Sequence, residues 1–446
     1  MKSSVDKVFF FLLLSGLLSG LWPSLAVSGI DTCNSESLPH YVFTPTDQQQ
    51  VCPQCALVKP EVNAERADKW NRATLTLFDK VSKHQPHGNH VVSSHSIFET
   101  LSMLGAGAEG KTQKQIFEHI GATSDDIGTT SDTWLAFQKM MDVQTEGKDE
   151  KFSRSNVVMV AKRHELKEIY RKFIGQFGKC DVEKLDISDK KKVDELVNSV
   201  NNRVCSMTEG MIETCVSSDD LSASDPALFL INVTYFQDKW GVEFERQDEK
   251  GTFKLSNEST VDTTMINARD GRIGYVEYEG WQSVSIPYKG SFEMVAMLPS
   301  ETGKGNFQDL FSSLDGPETK DGIIVDLTMP EYTIDMEYEL IDLLKTDQPG
   351  DMFSPSADFG GMVEDASGLY VMAARHKAKI ETDVEGTKAV GVTEVCVADC
   401  MLEVKAPTVV KVNLNRPFLF LIRDKKNKAI RFIGKLADPR VTADSV

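Results

Sequence analysis

Residues 384–410 read VEGTKAVGVTEVCVADCMLEVKAPTVV. As an extended strand, alternate positions Thr387, Ala389, Gly391, Thr393, Val395 and Val397 fall on one face, all small or apolar. Lys388, Val390, Val392, Glu394 and Cys396 fall on the other. The first face can enter a sheet without a clash or an unpaired charge. Such a composition fits a permanent strand, and it fits equally a strand held exposed until it is buried.

The surrounding chain narrows the choice. Its 446 residues suffice for a large core. Apolar residues make up 41% and charged residues 26%, ordinary for a globular protein. The net charge of −18 argues against nucleic acid as a standing partner. The basic stretch AKRHELKEIYRK, residues 161–172, reads as a solvated helix face. Lys2 and Lys7 flank the start of VFFFLLLSGLLSGLW, and small residues in SLAVSG follow, so residues 1–28 are expected to be a signal peptide. The run is short for a membrane span, and no other run approaches that length. A secreted, extracellular location is the expectation, with no membrane partner.

Secretion makes the eight cysteines possible disulfide partners, although they are too sparse to scaffold a chain of this length. Residues 29–64, with Cys33, Cys52 and Cys55, read as an N-terminal extension; Cys52 and Cys55 form a lone CxxC that does not suffice for zinc. Cys396 and Cys400, about 13 Å apart in an extended strand, are too distant for a mutual disulfide. Two glycosylation sequons occur, at Asn232 and at Asn257, the second in the polar stretch LSNEST. From residue 64 to about 220 helical periodicities dominate, and strand patterns such as ALFLINVTYF and RPFLFLIRD take over beyond. With no linker between the halves, one large domain of mixed α and β structure is expected.

Two motifs mislead. GAGAEGKT, residues 105–112, matches the phosphate-loop pattern in full, but Ile97, Leu101, Leu104 and Ala108 recur at helical spacing where that loop needs a strand. It is read as a turn between helices. His84, His87, His90 and His95 lie close in sequence, yet Pro86 and Gly88 interrupt any shared face, so no metal site is expected. No hydrolase signature and no nucleophile set is visible, so the chain is not expected to be an enzyme or to need a cofactor.

Several stretches resemble the serpin family, in family order. VEGTKAVGVT resembles the hinge of the reactive-centre loop, here about residues 384–410, and RHKAKIETDVEGT resembles the central strand before it. INVTYFQDKW, SIPYKGSFEMVAMLP, NRPFLFLIRD and AIRFIGKLADP resemble further family motifs, and NHVVSSHSIFETLSMLGAGAEGKT resembles the early helix and turn. The resemblance covers roughly residues 65–440, leaving a tail at 441–446, and implies a serpin-like single α+β domain with a helical N-terminal half, a large central β-sheet and an exposed reactive-centre loop. Ser94 stands where the family usually has Pro, Val384 where it usually has an acidic residue, and Val390 and Val392 where Ala is commoner.

The resemblance also implies a function, an inhibitor of serine proteases acting as a suicide substrate. The loop is cleaved as an acyl-enzyme forms, and it then inserts as a new strand of the main sheet. Gly386, Thr387, Ala389, Gly391 and Thr393 would form the hinge, and Ser93, Ser96, Asn232 and His376 the polar cluster under the sheet-opening site. Counting from Gly386 puts the reactive bond at Cys400–Met401, which suits an elastase- or chymotrypsin-like protease. Counting back from Pro417 puts it at Lys405–Ala406, which suits a trypsin-like one. Insertion length favours Cys400–Met401, since the later bond adds about 16 Å of strand. A monomer is expected. The alternative is a non-inhibitory carrier, storage protein or chaperone of the same fold.

Overall fold

The computed structural model describes residues 64–84, 86–121, 151–177, 180–186, 188–222, 228–278, 280–300, 319, 322–346, 348–387 and 407–440. The chain divides into two units, Met1–Pro53, which lies outside the described residues, and Gln54–Val446, to which all that follows belongs.

Seven helices are described: α1 (Ala64–His84), α2 (Ser94–Gly107), α3 (Gly110–His119), α4 (Glu168–Phe177), α5 (Lys190–Met207), α6 (Ser218–Ser222) and α7 (Ile341–Leu344). The largest functional element is a six-stranded sheet. In spatial order it runs Tyr332–Glu339 (β13), Val371–Thr382 (β14), Gly386–Thr387 (β15), Leu228–Lys239 (β4), Lys151–Ala161 (β2) and Cys180–Leu185 (β3). A second six-stranded sheet runs His90–Val92 (β1), Ile430–Leu436 (β18), Phe418–Asp424 (β17), Phe292–Pro299 (β11), Trp281–Pro287 (β10) and Gly274–Tyr278 (β9). A four-stranded sheet orders Thr408–Asn413 (β16), Ile323–Pro330 (β12), Met265–Asp270 (β8) and Glu245–Arg246 (β5), and Gly251–Lys254 (β6) pairs with Thr260–Thr263 (β7). Helices with several sheets realise the α+β class expected above.

The central strand β4 explains how the main sheet is held. Its apolar run is buried on both faces, as expected of an interior strand. Phe229, Ile231, Val233 and Tyr235 face α5, which presents Val193, Val197, Val200 and Val204 at helical spacing. Leu228 and Leu230 face the core shared with α2, and Asn232 continues that row. On β14, Ala374, His376, Ala378 and Ile380 alternate inward. Its outward cations hold the segment that follows α5: Arg375 pairs with Asp220 at 2.7 Å, and Lys377 and Lys379 donate to the carbonyls of Thr214 and Met211.

Two sequence readings change. The half read as helical contains β2 and β3. The run VVMVA is apolar without period, and periodicity cannot separate a buried strand from a buried helix segment. The basic stretch 161–172 is the end of β2, a turn, and only then α4 from Glu168.

The phosphate-loop look-alike is the junction of α2 and α3. Gly110 takes φ +53°, Lys111 is exposed, and the Thr112 hydroxyl donates to Gly350 O at 2.7 Å. Of the four clustered histidines, His84 and His87 are exposed while His90 and His95 are buried in separate elements. No group that could hold a metal ion occurs among the described residues.

Candidate functional site

Along Val371–Lys379, β14 pairs directly and in parallel with Leu228–Tyr235 of β4. At one end a third strand parts them. Gly386 and Thr387 form β15, antiparallel to both: Thr387 opposes Thr382 of β14 and Asp238 of β4, and Gly386 opposes Lys239. The segment that the sequence resemblance assigns to the hinge is therefore already seated two residues deep between β14 and β4.

Local chemistry fixes that seat. Asp383 turns the chain: its carboxylate accepts from the amides of Glu385 (2.8 Å) and Gly386 (3.1 Å), and its own amide donates to Gly386 O. A Cβ on Gly386 would lie 2.3 Å from Asp238 O, so only glycine lets the strands approach this closely. Trp240 binds the turn twice, through its amide to Glu385 O at 3.0 Å and its indole Nε1–H to Asp383 O at 2.9 Å. Its ring stacks on Tyr288, with centroids 4.5 Å apart. The Tyr288 hydroxyl is 2.8 Å from Oγ1 of Thr387, which is wholly buried. Burial raises the Tyr288 phenol well above its ordinary range, so it stays neutral.

Beneath the closed part of the sheet lies a second cluster. Ser93 caps α2 and donates its amide to His376 Nε2 at 3.1 Å. A backbone amide can only donate, so Nε2 accepts and Nδ1 carries the proton, which goes to Asn232 Oδ1 at 2.7 Å. The two N–H groups of the Asn232 amide are shared among Ser96 O (2.8 Å), Thr100 Oγ1 (3.0 Å) and Asn156 Oδ1. Ser93, Ser96, Asn232 and His376, scattered over the chain, thus meet in one buried network that also takes in Thr100 and Asn156. The Asn232–His376 bond crosses between β4 and β14.

A profile of the serpin (serine protease inhibitor) family matches residues 68–439. The chain belongs to the serpin family. It is 27% identical over 368 residues to serine protease inhibitor 42Dd of Drosophila melanogaster, covering 81% of this chain and 95% of that one. Antichymotrypsin-2 of Bombyx mori is 28% identical over 360 residues, 78% and 92% of the two chains. Among solved structures, human thyroxine-binding globulin complexed with thyroxine superposes with a TM-score of 0.71 at 22% identity, over 85% of this chain and all of the other.

Not every expected residue of this serpin falls in the site. Ala389, Gly391 and Thr393 of the hinge, and Cys400, Met401, Lys405 and Ala406 of the reactive bond, lie outside the described residues, as do Cys33, Cys52 and Cys55. Asn232 was doubly assigned, as a cluster member and as a glycan acceptor. It is 1% exposed with its amide fully engaged, so the glycan assignment is corrected. Asn257 is exposed. Cys205 and Cys215 carry free thiols, and burial pushes Cys215 up to about 12. The hinge anchors Asp238, Trp240 and Tyr288 were missed. INVTYFQDKW and SIPYKGS contain them, but nothing in either stretch points to a shared partner.

The His376 ring predicts a pH response. Complete burial lowers it from 6.5 to about 3, and His119, only partly buried, is lowered to about 4 by burial and by the nearby Lys80 cation. The unfolded chain takes up these protons near the ordinary value and the folded chain does not. Stability is therefore fully present above about pH 6.5 and falls as pH drops from there towards 3–4. Each such group contributes a slope of up to ~1.4 kcal/mol per pH unit. Thermal melts between pH 7 and pH 4.5 are expected to show a steep fall, smaller in His376→Gln. A flat profile would refute the neutral-ring assignment.

Proposed function

We propose that this protein is a secreted inhibitor of serine-type endopeptidases that acts as a suicide substrate, its cleaved loop entering the main sheet between β14 and β4. The observation that carries the reading is the seat of Gly386–Thr387. The first two of the proposed hinge residues already form a strand between those two, with Thr387 wholly buried. The small face that follows, Ala389, Gly391 and Thr393, continues the same alternation, so each further residue added would meet the same kind of surface. Strand addition supplies ladder hydrogen bonds to a sheet whose edges are otherwise paired with each other. The uncut state is then held kinetically.

A leader peptide at residues 1–28, a glycan on Asn257 and a monomeric state complete the proposal. The test is incubation with a panel of serine proteases. An SDS-resistant complex of inhibitor and protease supports the reading, and cleavage without any complex supports the carrier alternative.

The target class follows from the bond cut. We place it at Cys400–Met401 and favour an elastase- or chymotrypsin-like protease, with which the likeness to an antichymotrypsin agrees. N-terminal sequencing of the C-terminal fragment from the complex is expected to begin at Met401. A fragment beginning at Ala406 would make Lys405 the primary residue and the target trypsin-like.

A further inference from the structure

Helix α1 turns a stripe of side chains towards α3 and α7. Lys69, Arg72, Ala73, Thr76, Leu77 and Lys80 recur at three- and four-residue steps, which places them on one face. With the end of α3 and Leu344 of α7 they line a cavity of about 320 Å³. That is the small end of the range that takes organic ligands, and several times the space one small ion fills. Gly121 lets α3 end against α1: it takes φ +79°, and a Cβ there would lie 2.7 Å from Lys69 O. None of these residues belongs to the hinge seat or to the buried polar cluster.

The cavity has two kinds of wall. Leu77 and Leu344, 3% and 4% exposed, form an apolar part with the methyl of Ala73. The charged part sets Lys69, Arg72 and Lys80 against one carboxylate, Glu118. Three positive charges less one negative leave +2, on a chain whose net charge is −18. Some of that charge is engaged at the surface, where Arg72 pairs with Asp68 at 2.8 Å and Glu118 faces Lys114 at 3.9 Å.

Lys80 is different. It is partly buried, and among the described residues its ammonium has neither a hydrogen bond nor an ion pair. Burial pulls it below its ordinary range. The end of α3 does not claim it, since the carbonyls of Phe117 and Glu118 already accept from the amides of Ile120 and Gly121. His119 does not neutralise it either. That ring faces the Leu344 carbonyl and stays uncharged, held at about 4 by burial and by Lys80 itself. A partly desolvated cation beside an open cavity carries a cost that an anion in the cavity would relieve.

We propose that this cavity is a binding site for a small amphiphilic acid, its carboxylate on Lys80 and Lys69 and its apolar body against Leu77 and Leu344. A bare anion would satisfy Lys80 but leave the leucine wall in water. An alcohol with the same body would cover the wall but leave Lys80 unpaired. Only a ligand with both features uses the whole cavity, and the inference is independent of strand insertion.

The probe is octanoate, titrated calorimetrically into the full-length protein, with octanol as the neutral body and acetate as the bare anion. Octanoate is expected to bind one to one and to raise the melting temperature. Octanol and acetate should bind at least about tenfold more weakly, the factor for ~1.4 kcal/mol. Lys80→Met keeps the aliphatic stem; it should weaken octanoate at least about tenfold and, without ligand, melt no lower than the wild type. Lys83→Met removes an exposed cation of the same helix, paired with Asp79 at 2.5 Å, and should bind like the wild type. Thr76→Trp, at an exposed lining position, should fill the cavity and weaken binding while leaving Lys80 in place.

Absence of saturable octanoate binding to the wild type would overturn the proposal. Equal weakening in Lys80→Met and Lys83→Met would do the same, by showing diffuse attraction to surface cations. So would equal affinity for octanol or acetate, or unchanged binding in Thr76→Trp, which would put octanoate outside the cavity. Lys80→Met melting well below the wild type would show that the cation already has a partner in the fold, and would overturn it too.

Discussion

Thr387→Arg is expected to convert the protein from inhibitor to substrate. Thr387 is wholly buried, its hydroxyl against Tyr288 and its backbone laddered to Thr382 and Asp238. The carboxylate of Asp238 is already committed to the amides of Lys239 and Gly290, so a guanidinium would enter an overfilled site with no counter-ion of its own. Burying a cation in that way costs several kcal/mol. At ~1.4 kcal/mol per factor of ten, insertion would slow by about a hundredfold or more. Hydrolysis of the acyl-enzyme would then finish first. The stoichiometry of inhibition, measured by titrating a fixed amount of protease, should rise at least about tenfold, with the loop cleaved and no SDS-resistant complex. Thr387→Val, which keeps the shape and loses only the hydroxyl, should remain close to wild type. A Thr387→Arg protein that still trapped its protease one to one would overturn the insertion argument.

Cleavage of the loop is expected to raise the melting temperature sharply. In the uncut chain β4 and β14 pair in parallel, the weaker ladder, while β15 is antiparallel to both. Full entry of residues 388–400 would replace one parallel ladder by two antiparallel ones. On the order of ten new hydrogen bonds at ~1 kcal/mol each, at roughly 2 °C per kcal/mol for a chain of this size, amounts to a shift of about 20 °C. Calorimetry before and after a single loop cut measures it directly. Identical melting of cut and intact protein would favour the non-inhibitory alternative.

The two expected results draw on different kinds of knowledge. That Thr387, Ala389, Gly391 and Thr393 share a small face follows from strand geometry alone, and it was legible in the order of the residues. So was the helical reading of residues 97–108, because three apolar spacings outweighed a matching phosphate-loop pattern. The α+β class followed from the succession of periodicities, since a period of 3.6 or 2 is a property of neighbours along the chain. The strands at Lys151–Ala161 and Cys180–Leu185 were not legible in this way. A run of apolar residues records burial on all sides without saying in which geometry.

The site itself belongs to the tertiary structure. Asn156, Asn232 and His376 lie on three strands far apart in sequence, and each alone is an ordinary core polar residue. Only the register His376↔Asn232 and Asn156↔Asn232 brings their amides and ring within hydrogen-bonding distance. The sequon at Asn232 shows the limit most plainly. Its three residues satisfy the local rule for a glycan acceptor, but β4 buries both faces, and a group that must be reached from outside cannot lie there. Residue order settled which face of each strand is small, apolar or charged, because alternation is local. Which polar groups would share that interior, and with which end of each amide facing which partner, was decided by the pairing of strands across long loops, because hydrogen-bond direction is a property of the assembled network.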